Sequence, residues 1–171
     1  MNEPTSHSLN LPPYPRFPVL ASAAVRLRQV RPADADSLLE ISFYDARPAR
    51  DAADAAEMQA RINADYRYGT SVHWAIVSVA TAEVVGTVGF YRGFGDGTGE
   101  LGCVLKPAFQ GQGLMREAMR LAIAFGLHRM QLAQIVAVTT RQNARAINLL
   151  EKLGFRKAAD LAGDELRYCW V

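Results

Sequence analysis

Gln110-Gly111-Gln112-Gly113-Leu114-Met115 holds the residue types and spacing most suited to binding an anion. An apolar run, Leu101–Leu105, stops at Lys106-Pro107, the glycine turn follows, and a helical pattern begins near Leu114. Backbone N–H groups converge where a glycine turn enters a helix, and the helix dipole favours negative charge there. Glycine lets the main chain take positive φ and approach a diphosphate closely. The turn is not a nucleotide-hydrolase loop, because Gly113 is followed by Leu114-Met115 where Lys-Ser/Thr is required, and its spacing misses the dinucleotide fingerprint. A Gly-x-Gly alone is more often an ordinary turn than a phosphate cradle.

The elements that must position this turn follow from pattern. Val25–Val30 reads as a first strand, and Pro32 opens a helix through Phe43 with an acidic first turn. Asp51–Tyr66 is a second helix with Met58 and Ile62 on one face, ended by Gly69. Val72–Ala80 and Glu83–Arg92 form a hairpin, and Gly93–Gly99 leads into the strand Glu100–Leu105. Beyond the turn, Leu114, Ala118, Leu121/Ala122 and Phe125 mark a helical face. Leu132–Thr139 is a strand and Asn143–Leu153 a helix closed by Gly154-Phe155; Phe155–Asp160 and Glu165–Val171 are the last strands. The order β-α-α-β-β-β-α-β-α-β-β predicts an α/β chain of the mixed-sheet kind, with helices on the sheet's faces.

With 171 residues the chain is expected to hold one domain, 19–171, after a proline-rich arm at 1–18. A 50% apolar, 21% charged composition is that of a soluble globule. No membrane-length apolar run occurs, and the polar, proline-bearing N-terminus argues against export. Cys103 and Cys169 have no paired spacing, so reduced thiols and the cytoplasm are expected. Residues 106–171 carry ten Lys/Arg against five Asp/Glu, a net +5 that suits an anionic ligand. No dense basic run interleaved with aromatics points to nucleic acid.

Three motifs in order resemble the GCN5-related N-acetyltransferase (GNAT) superfamily, and within it the RimJ/RimL-like branch. They are Phe17-Pro18-Val19-Leu20 with Val25-Arg26-Leu27-Arg28, Glu100-Leu101-Gly102 through Gln110–Ala118, and Asn143 through Glu151-Lys152-Leu153-Gly154-Phe155. The resemblance covers roughly residues 17–171. It implies the GNAT fold, a twisted mixed sheet with two splayed parallel strands and helices on both faces. It also implies acetyl-CoA as co-substrate, a primary amine as acceptor and no metal. By resemblance, Cys103, Val104 and Leu105 offer main-chain groups to the pantetheine arm, and Gln110, Gly111, Gln112, Gly113, Leu114 and Met115 receive the pyrophosphate. Asn143 meets the pantetheine near the thioester, and equally reads as a helix N-cap. Glu100 is either a surface strand residue or a general base acting through water. No base is placed by sequence to activate Cys103 as a nucleophile. His73 reads as a satisfied strand histidine and Tyr44 as packing or acceptor-pocket lining. The acceptor wall is expected over Tyr44–Asp54, with Asp45, Asp51 and Asp54 offset by Arg47 and Arg50. Leu150 stands where many relatives carry a thiolate-protonating Tyr, and Ala146 where the branch often has Ser. A protein N-terminus or small amine is the expected acceptor, a non-catalytic acetyl-CoA-binding module the alternative, and a monomer or homodimer the expected state.

Overall fold

The computed structural model describes residues 8–44 and 47–171. Its strands are β1 Leu20–Ala21, β2 Val25–Gln29, β3 Phe43–Tyr44, β4 Arg47–Pro48, β5 Val72–Ser78, β6 Val84–Tyr91, β7 Thr98–Leu105, β8 Gln134–Thr140, β9 Phe155–Asp160 and β10 Glu165–Trp170. The α-helices are α1 Ala35–Leu38, α2 Ala52–Arg67, α3 Leu114–Ala124 and α4 Ala144–Lys152. Eight strands form one sheet in the order β1-β2-β5-β6-β7-β8-β10-β9, and β3 pairs with β4 apart from it. The β7–β8 pairing is parallel and the other strand pairings are antiparallel.

Strand alternation divides the sheet into two faces. Val72, Trp74 and Ile76 of β5 enter the larger core with Leu114, Ala118, Met119 and Ala122 of α3. Ala75, between them, packs instead with Leu38 and Ile41 of the α1 segment. Helices therefore cover both faces, as the mixed-sheet reading expects. Residues 8–18 lie against the larger core: Leu9, Leu11, Tyr14 and Phe17 pack on it, and Trp74 Nε1 donates to Pro18 O at 2.9 Å. Residues 1–7 of the expected arm lie outside the described residues.

The helix expected over Pro32–Phe43 is broken. Pro32–Asp34 and Leu39–Ile41 are 3₁₀ turns flanking the four-residue α1. Side chains take over main-chain roles at both ends. Asp34 accepts from Arg28 at 2.7 and 2.9 Å and from the Arg31 N–H at 2.7 Å. The Ser42 hydroxyl takes Leu38 O at 2.9 Å, so the Ser42 N–H bonds one residue on, to Leu39 O at 3.3 Å. The short strands β1, β3 and β4 went unanticipated.

The arrangement of β7 and β8 matters most for function. They pair only at Thr98↔Gln134, Gly99↔Ile135 and Glu100↔Val136. Past these residues β7 stays with β6 as far as Leu105↔Gly86, and β8 stays with β10 as far as Thr140↔Glu165. Each strand follows its outer neighbour, so a wedge opens between them and, among the described residues, one edge of β7 is left without a strand partner. Among the described residues no helix is long and apolar enough to cross a membrane.

Candidate active site

The wedge exposes main-chain groups in a defined pattern. Lys106 N–H donates to Val85 O at 2.8 Å, which sets the phase of the β6–β7 ladder. Main-chain groups alternate sides along an antiparallel strand, so those of Val104 and Gly102 face β6 while those of Cys103 and Leu105 face the wedge. Of the three residues expected to pair with an amide-bearing ligand, Val104 thus has its main chain turned away.

At the head of the wedge, Gly111 and Gly113 both have φ of 79°, which disfavours any side chain. Among the described residues, nothing beyond the immediate chain neighbours lies within 4 Å of where a Cβ would stand on either, so the space beside the turn is open. The first bond onto α3 runs from Glu117 N–H to Gly113 O at 3.2 Å. The N–H groups of Leu114, Met115 and Arg116 precede it and have no main-chain acceptor among the described residues, which suits them to an anion. Leu114 is buried and Met115 half-buried against the core, which leaves their amides as what they offer. Gln112 Nε2 folds back to Ala108 O at 3.3 Å.

Gln110 is occupied on both sides. Its Nε2 donates to Leu105 O at 3.2 Å, and its Oε1 accepts from Arg145 Nη1 at 2.6 Å. This bridge spans the mouth from β7 to α4 and brings a cation to the glycine turn. Asn143 caps α4, its Oδ1 accepting from Ala146 N–H at 3.1 Å, which leaves its NH₂ group for another acceptor. Cys103 is exposed along the wedge, with its Sγ 3.8 Å from Met119 Sδ.

On the other face of β7 lies a cleft of about 630 Å³, lined by Phe43, Tyr44, Gln59, His73, Tyr91 and Glu100 among others. Glu100 is an ion-pair partner of Arg92 at 3.2 Å. Arg92 itself has φ of 65°, a strained conformation for a side-chain-bearing residue. His73 is buried, with Nε2 3.0 Å from Gln59 Oε1 and Nδ1 2.5 Å from the Tyr91 hydroxyl. Burial lowers its pKa to about 4 and raises that of Tyr91. The Tyr91 ring lies on Gly102, where a Cβ would sit 3.0 Å from it.

Donors at the turn, the open edge of β7 and the cation of Arg145 fit a ligand with an anionic head and an amide-bearing arm. Residues 24–156 match the sequence pattern described as the acetyltransferase (GNAT) domain. The chain belongs to the GNAT acetyltransferase family. In sequence it is 31% identical to the Bacillus subtilis Probable N-acetyltransferase YjcK over 103 residues, 59% of this chain and 55% of that protein. It thus spans about half of that relative's length. In structure it is similar to the ribosomal-protein-S5-alanine acetyltransferase of Vibrio fischeri, with a TM-score of 0.75 at 16% identity over 90% of this chain and 96% of that one. The dodecameric spermidine N-acetyltransferase of Vibrio cholerae gives a TM-score of 0.71 at 17% identity over 86% and 94%. These two likenesses are of fold.

Within the GNAT cleft, the expected acceptor wall differs from its sequence reading. Asp54 is clamped by Arg47 at 2.8 and 3.1 Å and by Arg50 through its N–H at 3.0 Å and its Nε at 3.1 Å. The Arg47 hydrogen bonds, then those from Arg50, hold its carboxyl well below the usual range. Asp51 caps α2 by accepting from Asp54 N–H at 2.8 Å. Both carboxylates are consumed in starting the helix, and Asp45 lies outside the described residues. Among the described residues, the carboxylates lining the cleft are Asp65 and Glu100. Leu150, at the position of the expected hydroxyl, is buried in the core. Among the described residues no cluster of three or more His, Cys, Asp or Glu is placed to hold a metal ion. Arg145 and Tyr91 were missed from sequence; their only signal was position, on the helix after Asn143 and at the end of the strand before Gly93.

Proposed function

We propose that this protein is an N-acetyltransferase of the RimJ/RimL-like kind, moving the acetyl group of acetyl-CoA to a primary amine by direct transfer in a ternary complex. The observation that carries this reading is the wedge beyond Glu100 and Val136, headed by the glycine turn and backed by the cleft. In this reading the amides at 111–116 and Arg145 hold the diphosphate, while the wedge-facing groups of Cys103 and Leu105 pair with the pantetheine. Asn143 reaches the same arm with its free NH₂ group. The amine enters from the cleft, gives up a proton through water to Glu100, and attacks the thioester carbonyl as coenzyme A leaves. A wedge-facing N–H polarises the carbonyl oxygen. Orientation supplies most of the rate, because bound partners react as one species.

The acceptor is a peptide N-terminus or a small monoamine. A polycation requires several unpaired carboxylates, whereas among the described residues two line this cleft and Glu100 is shared with Arg92. An α-amine is roughly a tenth neutral at pH 7, against less than about a thousandth for lysine, which suits a site with few acid and base groups. Mass spectrometry of N-terminal peptides, small monoamines and spermidine incubated with isotopically labelled acetyl-CoA tests this. Label on a peptide α-amine or monoamine is the expected result.

One observation favours a second reading, a non-catalytic acetyl-CoA-binding module. With Leu150 in the core and Ala146 presenting no hydroxyl, neither position offers an acid to the departing thiolate. Coenzyme A binding without acceptor-dependent thiol release across the whole panel selects that reading.

A further inference from the structure

The hydrogen bonds of the acceptor cleft have a sense of direction that one main-chain carbonyl dictates. Leu38 O accepts from the Ser42 hydroxyl at 2.9 Å, which commits the only proton that hydroxyl has. The Ser42 oxygen therefore accepts, taking Gln59 Nε2 at 3.4 Å. That contact turns the Gln59 carbonyl oxygen towards His73 Nε2, at 3.0 Å. A carbonyl oxygen facing Nε2 requires that nitrogen to carry the ring proton, so neutral His73 keeps its lone pair on Nδ1. The Tyr91 hydroxyl, 2.5 Å from Nδ1, must then be the donor. Its proton is spent on His73, and its oxygen is left with lone pairs alone.

Ser42, Gln59 and His73 are all buried, at 1%, 7% and 4% exposure, so water does not offer alternative partners that would scramble the chain. Protonation of His73 would reverse the last step by making Nδ1 a donor, and burial keeps the ring neutral. Gln59, His73 and Tyr91 line the cleft together with Cys103. The Tyr91 ring rests on Gly102, beside the stretch of β7 that borders the wedge. Tyr91 is half-buried rather than enclosed and lines the cleft, so an oxygen there that can only accept selects for a hydrogen-bond donor.

We propose that Tyr91 receives the acceptor, its oxygen taking an N–H of the incoming primary amine, with His73, Gln59 and Ser42 as positioning residues that fix this hydrogen-bond sense. The inference rests on the amine-acetyltransferase reading. It deepens that reading by assigning the group that recognises the amine. The apolar wall of Ile41, Phe43, Tyr44 and Ile62 makes an amine with an apolar tail the fitting probe.

The test uses the full chain with saturating coenzyme A and 2-phenylethylamine, a pair that binds without reacting. Calorimetry of wild type and Tyr91→Phe is expected to show amine affinity falling about tenfold, the scale of one lost hydrogen bond, with coenzyme A affinity unchanged within twofold. Nitrogen NMR of labelled histidine is expected to show His73 as the Nε2–H tautomer, with a shift at Nδ1 when the amine is added. In turnover with acetyl-CoA the variant raises KM more than it lowers kcat. Should Tyr91→Phe fold poorly, 3-fluorotyrosine at position 91 keeps the shape while weakening the oxygen as an acceptor, and a smaller loss of amine affinity is expected. Equal amine affinity in wild type and variant overturns the proposal, as does an Nδ1–H tautomer or a wild type that does not bind the amine. If the amine binds through Tyr91 but acetyl-CoA supports no thiol release, the transferase reading fails and the assignment of Tyr91 stands.

Discussion

The two sides of β7 are built by different means. On the wedge side, the proposed binding groups come mostly from one continuous stretch, 103–116, as main-chain amides set by two positive-φ glycines and a helix start. On the cleft side, the chain of hydrogen bonds is drawn from Leu38, Ser42, Gln59, His73 and Tyr91, residues on four separate segments. The wedge side therefore tolerates side-chain change and is vulnerable to backbone change. The cleft side is the reverse, since Ser42, Gln59 and His73 there are both buried and used.

The sharpest way to break this contrast is by pH. His73 is neutral in the fold with a pKa of about 4, against 6.5 for the unfolded chain. The unfolded chain binds the extra proton first, so stability is full above about pH 6.5 and falls as pH drops towards about 4. The loss is on the order of 3 kcal/mol by linkage. Urea unfolding from pH 7 to pH 4 checks this, and His73→Gln is expected to flatten the curve. An unchanged curve in the variant would mean that other groups carry the acid loss. Next in size is Glu100→Gln. Loss of the proposed general base is expected to cost about a hundredfold or more in kcat and to alter the pH–rate profile. Coenzyme A binding should stay put, since Glu100 faces the cleft. A variant with wild-type rate and profile would leave Glu100 as merely the partner of Arg92.

Legibility in the sequence followed the same division. The turn at 110–115, the helix after it, the cap at Asn143 and the close at Gly154-Phe155 are local, and local pattern suffices to read them. The strand order with β7 beside β8 followed from resemblance, and where their pairing stops depends on neighbours that no single segment encodes. His73 read as a satisfied strand histidine, which it is; that its partner is Tyr91 depends on β5 and β6 pairing in one register. The carboxylates at 51 and 54 read as pocket wall, but a helix start claims both. Backbone dependence of the turn is tested by Gly113→Val. Forcing a β-branched residue to φ of 79° costs about 1–3 kcal/mol of strain, and coenzyme A affinity should fall by roughly tenfold or more. Gly163, at φ of 66° with open space around it, provides the control. Gly163→Val should cost comparable stability and leave coenzyme A binding alone.

The smallest expected effect sits where a side chain does matter on the wedge side. Arg145 reaches Gln110 Oε1, and through it Leu105 O, so a ligand entering the wedge must compete for the Leu105 carbonyl and releases the guanidinium as it does so. Freed from a neutral amide, Arg145 gains a stronger partner in a diphosphate. The side chain is exposed, so the gain is screened, and Arg145→Gln should weaken coenzyme A by only about threefold to fivefold. Its signature is the salt dependence. Wild-type affinity should fall between low and moderate ionic strength more steeply than that of the variant, and the two should converge at high salt. Parallel salt curves would mean that Arg145 serves only to hold Gln110 across the mouth, and that the amides of the turn carry the anion alone.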